Sequence, residues 1–487
     1  MALLIVENSK YIILILFLCY LLGCVIQNKT TDIMQKILIY VIHFFGFLCL
    51  LLRNVGIQLI GFYLLQLLMI SGILIGYQLI YKNGNPLLTN HICMFFVISM
   101  TVLTRISFGE AFRQYVFWVI GVCGMMIIPV LMKKENVFRR CPVIYAVVGI
   151  VLLGLVVLIG ATSYGAKLHL NIGPISFQPS EFVKAVFIIF IAAMLFHEAT
   201  IKKLLITSVL SAIFVLLLVA SRDLGGALLY FTTYLMMIYV VTRKKRYLGV
   251  GAVCICLAAV AGYFMFSHVR TRVFAWLTPL ADFDKKGYQI CQSLFGIGTG
   301  GWFGFGIGEG KPTLIPIVEK DFIFSAISEE FGAIFGIGLI LLTLSTFWGM
   351  IHTAKKTEDS FYKYICVGLG VMYATQVILT IGGAIKFIPS TGVTLPLVSY
   401  GGSSLLASLL MFGIVQGIAM KSHVLEKTEA TLEKESDAEV KGGKCSECSL
   451  VFYIFTAIFV AMILYFLYFM IFESSIYIYS EYNKLMR

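Results

Sequence analysis

The sequence predicts an all-α, polytopic integral membrane protein, and three observations carry that expectation. Sixty per cent of the 487 residues are hydrophobic and only 13% are charged. Mean hydropathy is +0.94, above what a buried core and a solvated surface produce together in a soluble chain. The apolar residues also come in runs of about twenty, the length at which a helix crosses a hydrocarbon layer with its backbone groups satisfied. A net charge of +12 would suggest nucleic acid in a soluble protein. Here the cations sit in short loops between apolar runs, so they report topology and not a nucleic-acid partner.

In chain order the apolar runs fall near 10–26, 37–52, 56–81, 91–105, 115–132, 143–160, 180–197, 203–220, 226–242, 247–267, 327–351, 361–383 and 395–420, with a last one at 450–472. This gives about 13 spans in one bundle plus an extra C-terminal span. No small-residue cleavage site follows the first run, which is read as a retained helix. The basic clusters are Lys133, Lys134, Arg139 and Arg140; Lys202 and Lys203; Arg243 to Arg246; Lys355, Lys356 and Lys363; and Lys421. Even numbers of spans separate them, so the positive-inside rule sends all of them to the cytoplasm. Parity then places 161–179, the Arg222–Asp223 turn, 268–326 and 384–394 on the outer face, together with the N-terminus. The expected domains are extra spans over 1–85, a core over 86–420, a charged cytoplasmic linker over 421–447 and an anchor with a short outer tail over 448–487. Membrane lipids are therefore obligatory partners.

Most of the twelve cysteines, among them Cys19, Cys49, Cys123, Cys254 and Cys366, lie in apolar runs and are expected as small core residues. Cys445 and Cys448 make a lone C-x-x-C without the second pair a zinc site needs. The seven histidines form no metal-binding spacing, and His169 and His268 fall at membrane edges.

Four outer segments carry polar chemistry. Gly173 to Lys184, GPISFQPSEFVK, enters a span with Pro179 suited to its first turn. Glu181 and Lys184 share a helix face at i, i+3, either as a capping carboxylate with a neutralising lysine or as part of a polar pathway. Asp223 in SRDLGGALL is either an N-cap or a carboxylate lining the same cavity, with the cap favoured. In the long 268–326 loop, Gln289 and Gln292 with Ser293 can bond sugar hydroxyls, diphosphate oxygens or neighbouring backbone. Its glycines, Gly296 to Gly310, allow backbone to approach a ligand but have neither phosphate-loop nor dinucleotide-fold spacing. Asp321 closes the loop just before an apolar segment, with Glu329 and Glu330 following; on position alone it reads as an N-cap of that segment. The last segment, 384–404, carries Lys386, facing a prospective phosphate, and the hydroxyls Ser399, Ser403 and Ser404. Pro396 with Gly401 and Gly402 marks a broken helix there.

QPSEFVK, DLGGALL, GYQICQS, the glycine-rich loop, DFIFSAISEE and PSTGVTLPLVSYGGSS together resemble, in order and spacing, the SEDS family (the FtsW, RodA and SpoVE group). The chain departs from the family at Lys167-Leu168-His169-Leu170, where Arg-Trp is usual, and at Glu319-Lys320, where His-Thr is usual. The resemblance implies a peptidoglycan glycosyltransferase in the bacterial cytoplasmic membrane that polymerises lipid II on the outer face and releases polyprenyl diphosphate. It makes Asp321 the catalytic base and Glu181, Lys184, Gln289, Gln292, Ser293, Lys386, Ser399 and Ser403 substrate-binding residues. Asp223, Glu329 and Glu330 support them. A divalent cation, Mg or Mn, is an expected cofactor without an identifiable ligand cage. A lipid II flippase and a non-catalytic scaffold are the alternatives. The run at 450–472 with its tail FESSIYIYSEYNKLMR resembles the membrane anchor of a class B penicillin-binding protein, the expected partner, acting in trans or as a fused domain that is missing here.

Overall fold

The computed structural model describes residues 2–53, 56–81, 83–132, 138–139, 141–163, 166–172, 175–197, 199–433 and 446–477. Six helices open the chain: α1 (Ala2–Val25), α2 (Lys29–Arg53), α3 (Ile57–Ile80), α4 (Pro86–Ile106), α5 (Phe108–Leu131) and α6 (Pro142–Ile159). A small antiparallel sheet follows, of β1 (Ala161–Ser163), β2 (Ala166–Ile172) and β3 (Ile175–Phe177), where hydropathy showed only a loop. Then come α7 (Pro179–Leu195), α8 (Ile201–Ala220), α9 (Leu224–Thr242) and α10 (Arg246–Met265). The long loop is mostly helical, with α11 (Ser267–Leu277), a 3-10 turn, α12 (Tyr288–Gly300) and α13 (Ile323–Phe331). The chain continues with α14 (Ala333–Lys356), α15 (Ser360–Ala384), α16 (Gly402–Glu433) and α17 (Ser446–Tyr468). Thirteen described helices are long and apolar enough to cross a membrane, and α7, at 17 residues, is the remaining predicted run.

At the centre lies α15, packed against α7, α9 and α14 and buried from Phe361 to Ala384 on nearly every side. Close approach depends on small residues. A Cβ on Gly368 would stand 2.6 Å from Ile188 of α7 and 2.9 Å from the Met237 sulfur of α9. The helix α16 lies along α5, while α1 to α3 form a flank against α4, α5 and α14. The C-terminal α17 seats on α9, α14 and α15, burying Phe455, Phe459 and Phe466.

Contacts between helix ends sort the bundle into two poles. At one, Asn85 before α4 meets Thr353 late in α14, Lys421 meets Tyr362, and Arg243 pairs with Glu447. At the other, Lys10 near the start of α1 donates to Gly304 O, Arg105 at the end of α4 pairs with Glu330, and Tyr400 N donates to Glu319 O. This alternation matches the parity read from the basic loops, although Lys133, Lys134 and Arg140 lie outside the described residues, as do much of the 421–447 linker, Cys445 and the end of the tail.

Several expectations change. The run at 327–351 is two helices, broken at Gly332, whose φ of +89° suits only glycine. The run at 395–420 starts helical only at Gly402; residues 395–401 turn, with Leu397 at φ +64°. Cys123 and Cys254 are exposed on the bundle flank, because periodicity within an all-apolar helix does not say which side meets protein.

Candidate functional site

The site is assembled at the pole that holds the long loop, and Asp321 is its focus. The residues before it are pinned through their backbone: Ser399 Oγ donates to Lys320 O, and Tyr400 N donates to Glu319 O at 2.7 Å. Asp321 itself caps nothing. Phe322 is the N-cap of α13 and makes no side-chain cap bond, so the capping reading fails. The Asp321 carboxylate accepts no hydrogen bond from the described chain. Burial raises it to about 6, with Arg272 and Lys320 pulling downward and Glu319 adding slightly to the rise.

Arg272, on α11, is the counter-charge. Its guanidinium is held below its ordinary value by burial, against the fields of Asp321 and then Asp223. Gly392 separates the pair: a Cβ there would lie 3.2 Å from Arg272 Nη2 and 3.8 Å from Asp321 Oδ2, and its φ is +75°. The loop around Gly392 is set by α9 and α15. A Cβ on Gly225 would touch Thr391 O at 3.0 Å, and Thr380 Oγ1 donates to Val393 O at 2.8 Å. Asp223 is the N-cap of α9, accepting from Gly226 N at 2.8 Å. Burial raises its carboxyl; the Gly226 N–H opposes this first, while the neighbouring Glu181 adds to the rise. The capping reading of Asp223 holds, and the same carboxylate stands in the field of Glu181, Lys184 and Arg272.

A second polar group lies at the mouth of α7, where Pro179 occupies the first turn. Lys184 Nζ donates to Glu181 Oε2 at 2.7 Å and to Gln376 Oε1 of α15 at 2.9 Å, and all three side chains are buried. Gln376 Nε2 donates in turn to Thr394 O, and Thr394 Oγ1 to Ser404 Oγ at 2.9 Å. Ser403 Oγ accepts from Gln178 N at 3.1 Å. The segment 389–401 thus runs between the two groups and ties them to the ends of α7, α9, α15 and α16.

The glycine-rich segment forms the other wall. Glu330 Oε1 accepts from Arg105 Nε at 3.0 Å and from Gly308 N at 3.1 Å, while Glu329 Oε1 accepts from Lys311 N at 2.7 Å. These carboxylates therefore staple the segment to α13. Beside it lies a cavity of about 180 Å³ reached by Gln292, Thr299, Glu309, Lys311 and Glu329.

Other predicted residues are placed differently. Gln289 Nε2 donates to Pro316 O, a backbone bond within the loop. Ser293 is fully buried, its hydroxyl donating to Ala384 O and meeting Ser325, so it ties α12 to α13 and α15. Ser399 is committed to Lys320 O and to Leu395 N. Lys386 faces the end of α17, with Nζ 3.3 Å from Tyr477 Oη, while its carbonyl accepts from Trp276 Nε1. Among the described residues no three His, Cys, Asp or Glu side chains gather as metal ligands. Sequence reading missed Arg272 and Gln376. The lone amide in the apolar run 361–383 was the available signal for Gln376, whereas nothing local set Arg272 apart from Arg270.

The model of a family described as cell cycle protein, the FtsW/RodA/SpoVE type, matches residues 85–424. This chain belongs to that family. The chain is 34% identical over 329 residues to the peptidoglycan glycosyltransferase RodA of Mycobacterium tuberculosis (strain H37Rv), covering 64% of this chain and 70% of the relative. It is 33% identical over 331 residues to stage V sporulation protein E of Bacillus subtilis, covering 65% and 88%. A chain solved in "Structural coordination of polymerization and crosslinking by a peptidoglycan synthase complex" superposes with TM-score 0.59 and 25% identity, over 69% of this chain and 97% of that one. Thermus thermophilus RodA shares the fold, with TM-score 0.51 at 23% identity over 68% and 95%. The FtsW/RodA/SpoVE match takes in α4 to α15, most of α16 and all the polar clusters around Asp321 and Lys184; α1 to α3 and α17 lie outside it.

Proposed function

We propose that this chain is a peptidoglycan glycosyltransferase that polymerises lipid II, with Asp321 as its base. The observation that carries the catalytic assignment is an uncapped, half-buried carboxylate, raised to about 6, set across Gly392 from a guanidinium. A carboxylate tuned close to working pH takes a proton efficiently without being held permanently protonated. It removes the proton from the acceptor sugar 4-hydroxyl as that oxygen bonds to the donor's anomeric carbon. The bond from that carbon to the diphosphate oxygen breaks, and polyprenyl diphosphate leaves with the electron pair. Arg272 replaces Lys386 as the cation placed to meet the diphosphate, because guanidinium binds such oxygens in bidentate fashion and Lys386 is turned to Tyr477. Lys184 and Glu181 hold the α7 mouth and the 389–401 segment in register.

The named relatives support the reaction class, and the basic-loop parity supports a site on the extracytoplasmic face. A penicillin-binding protein is the proposed partner, in keeping with the synthase complex to which the similar chain belongs. Purified protein supplied with lipid II and a cognate class B partner is expected to make glycan, and Asp321→Asn to make none. Equal polymer from both removes Asp321 from the chemistry. No polymer from either, with lipid II crossing proteoliposomes instead, replaces the transferase by a flippase.

A further inference from the structure

The glycine-rich segment is gripped from two sides, and only one grip belongs to the family region. From within residues 85–424, Glu329 and Glu330 hold its amides, and Arg105 donates to Gly308 O and Gly310 O at 3.2 and 3.1 Å. From outside it, the chain's first two helices reach over the opposite side. Lys10 Nζ of α1 donates to Gly304 O at 3.0 Å, and the Tyr11 and Phe303 rings lie 5.6 Å apart. Arg53, in the last turn of α2, donates to Gly308 O and pairs with Glu309. The fit leaves no space: a Cβ on Gly308 would sit 2.6 Å from Arg53 Cδ. Gly304, Gly306 and Gly308 all have positive φ, so their carbonyls point in directions an ordinary strand or helix would not present. Lys10 of α1 satisfies the Gly304 carbonyl and Arg53 of α2 with Arg105 of α4 that of Gly308, while Gly306 O accepts from Glu309 N.

We propose that α1 and α2 are a positioning clamp for the long loop, with Lys10 and Arg53 as its positioning residues. Two structures depend on the clamped segment. Glu309 and Lys311 form part of the wall of the 180 Å³ cavity, and Arg53 fixes Glu309 there. The segment is also stapled to the C-terminal turn of α13, whose first residue, Ile323, follows Asp321 by two positions. A loop free on one side lets α13 shift as a unit, and ångström shifts at a reacting group cost rate steeply. The flank thus supplies rigidity where an isolated family core would have to order the loop on binding.

The test is hydrogen exchange on the full chain in detergent, comparing wild type with Arg53→Ala, Lys10→Ala, the double variant, Arg53→Lys and Lys36→Met. Lys36 pairs with Asp32 in the first half of α2 and serves as the control. The expected result is exchange over 301–311 faster by about tenfold in Arg53→Ala and faster still in the double variant. Arg53→Lys recovers part of the protection, and 360–384 is unchanged throughout. Turnover, which rests on the glycosyltransferase reading, is expected to fall by about tenfold with a small change in KM. Unchanged exchange over 301–311, or acceleration spread equally over 360–384, overturns the clamp. Faster exchange with full turnover overturns its positioning role. Should Arg53→Ala fail to fold, Glu309→Ala removes the Arg53–Glu309 pair from the loop side, leaving the Gly308 bond, and is held to the same direction of change over 301–311. Exchange is readable in a chain that makes no polymer, so failure of the functional reading is seen separately.

Discussion

At the scale of single residues, the proposed chemistry rests on a carboxylate and a guanidinium that flank Gly392. Because burial lifts Asp321 to about 6, the base form dominates only above that pH. Polymerisation is expected to rise about tenfold per pH unit below 6 and to level off above it. Arg272 is among the groups that hold this value down, so Arg272→Met moves the midpoint to higher pH and also lowers the plateau. A pH–rate series on the two proteins reads both effects. The buried Glu181–Lys184 pair makes a stability prediction. Lys184→Met leaves a carboxylate without its cation and costs roughly 3–5 kcal/mol, whereas adding Glu181→Gln restores most of the loss. Thermal melting of single and double variants measures it. Asp321 stood out in the sequence through the family resemblance; on position alone it read as an N-cap, with Glu319 two residues before it. Arg272 did not stand out, since its partners lie about fifty residues away in either direction along the chain and nothing in SHVRTRVFAWL singles it out.

At the scale of elements, the apolar runs were readable to within a turn or two because each must satisfy a membrane's thickness. The outer loop was not, because α12 carries three glycines that argue against helix when read alone and α13 is only nine residues long. Only packing on α15 and on each other overrides that propensity. The break at Gly332 shows why propensity failed there. Its Cβ would fall 2.4 Å from Trp302 O, a backbone atom that cannot turn aside. Gly332→Ala is therefore expected to cost about 2 kcal/mol or more, seen as lowered melting and loss of protection in 301–311. Gly392→Ala is a milder change in stability, since the Arg272 guanidinium tip can yield, but it widens the gap to Asp321 and is expected to lower turnover more than melting temperature.

At the scale of the whole molecule, the family core is extended on two sides, by α1 to α3 and by α17. Composition could count these helices but could not seat them, because an all-apolar helix carries no mark of which face meets protein. Deleting residues from 446 onward removes the aromatic row Phe455, Phe459 and Phe466, uncovers the faces of α9, α14 and α15 on which it packs, and frees Lys386 from Tyr477. The truncated chain is expected to melt several degrees lower in detergent, and supplying 446–477 as a separate peptide should restore part of the difference. On the other side of the core, α16 continues as one helix from Gly402 to Glu433, ~48 Å at 1.5 Å per residue. The turn just before it carries Ser399 and Tyr400, which grip the backbone of Lys320 and Glu319. A stiff rod fastened at one tip to the backbone beside Asp321 and reaching the opposite pole, where Lys421 meets Tyr362, is a lever. A push on its distal end is expected to reach the backbone beside Asp321 by a route that bypasses the glycine-rich segment.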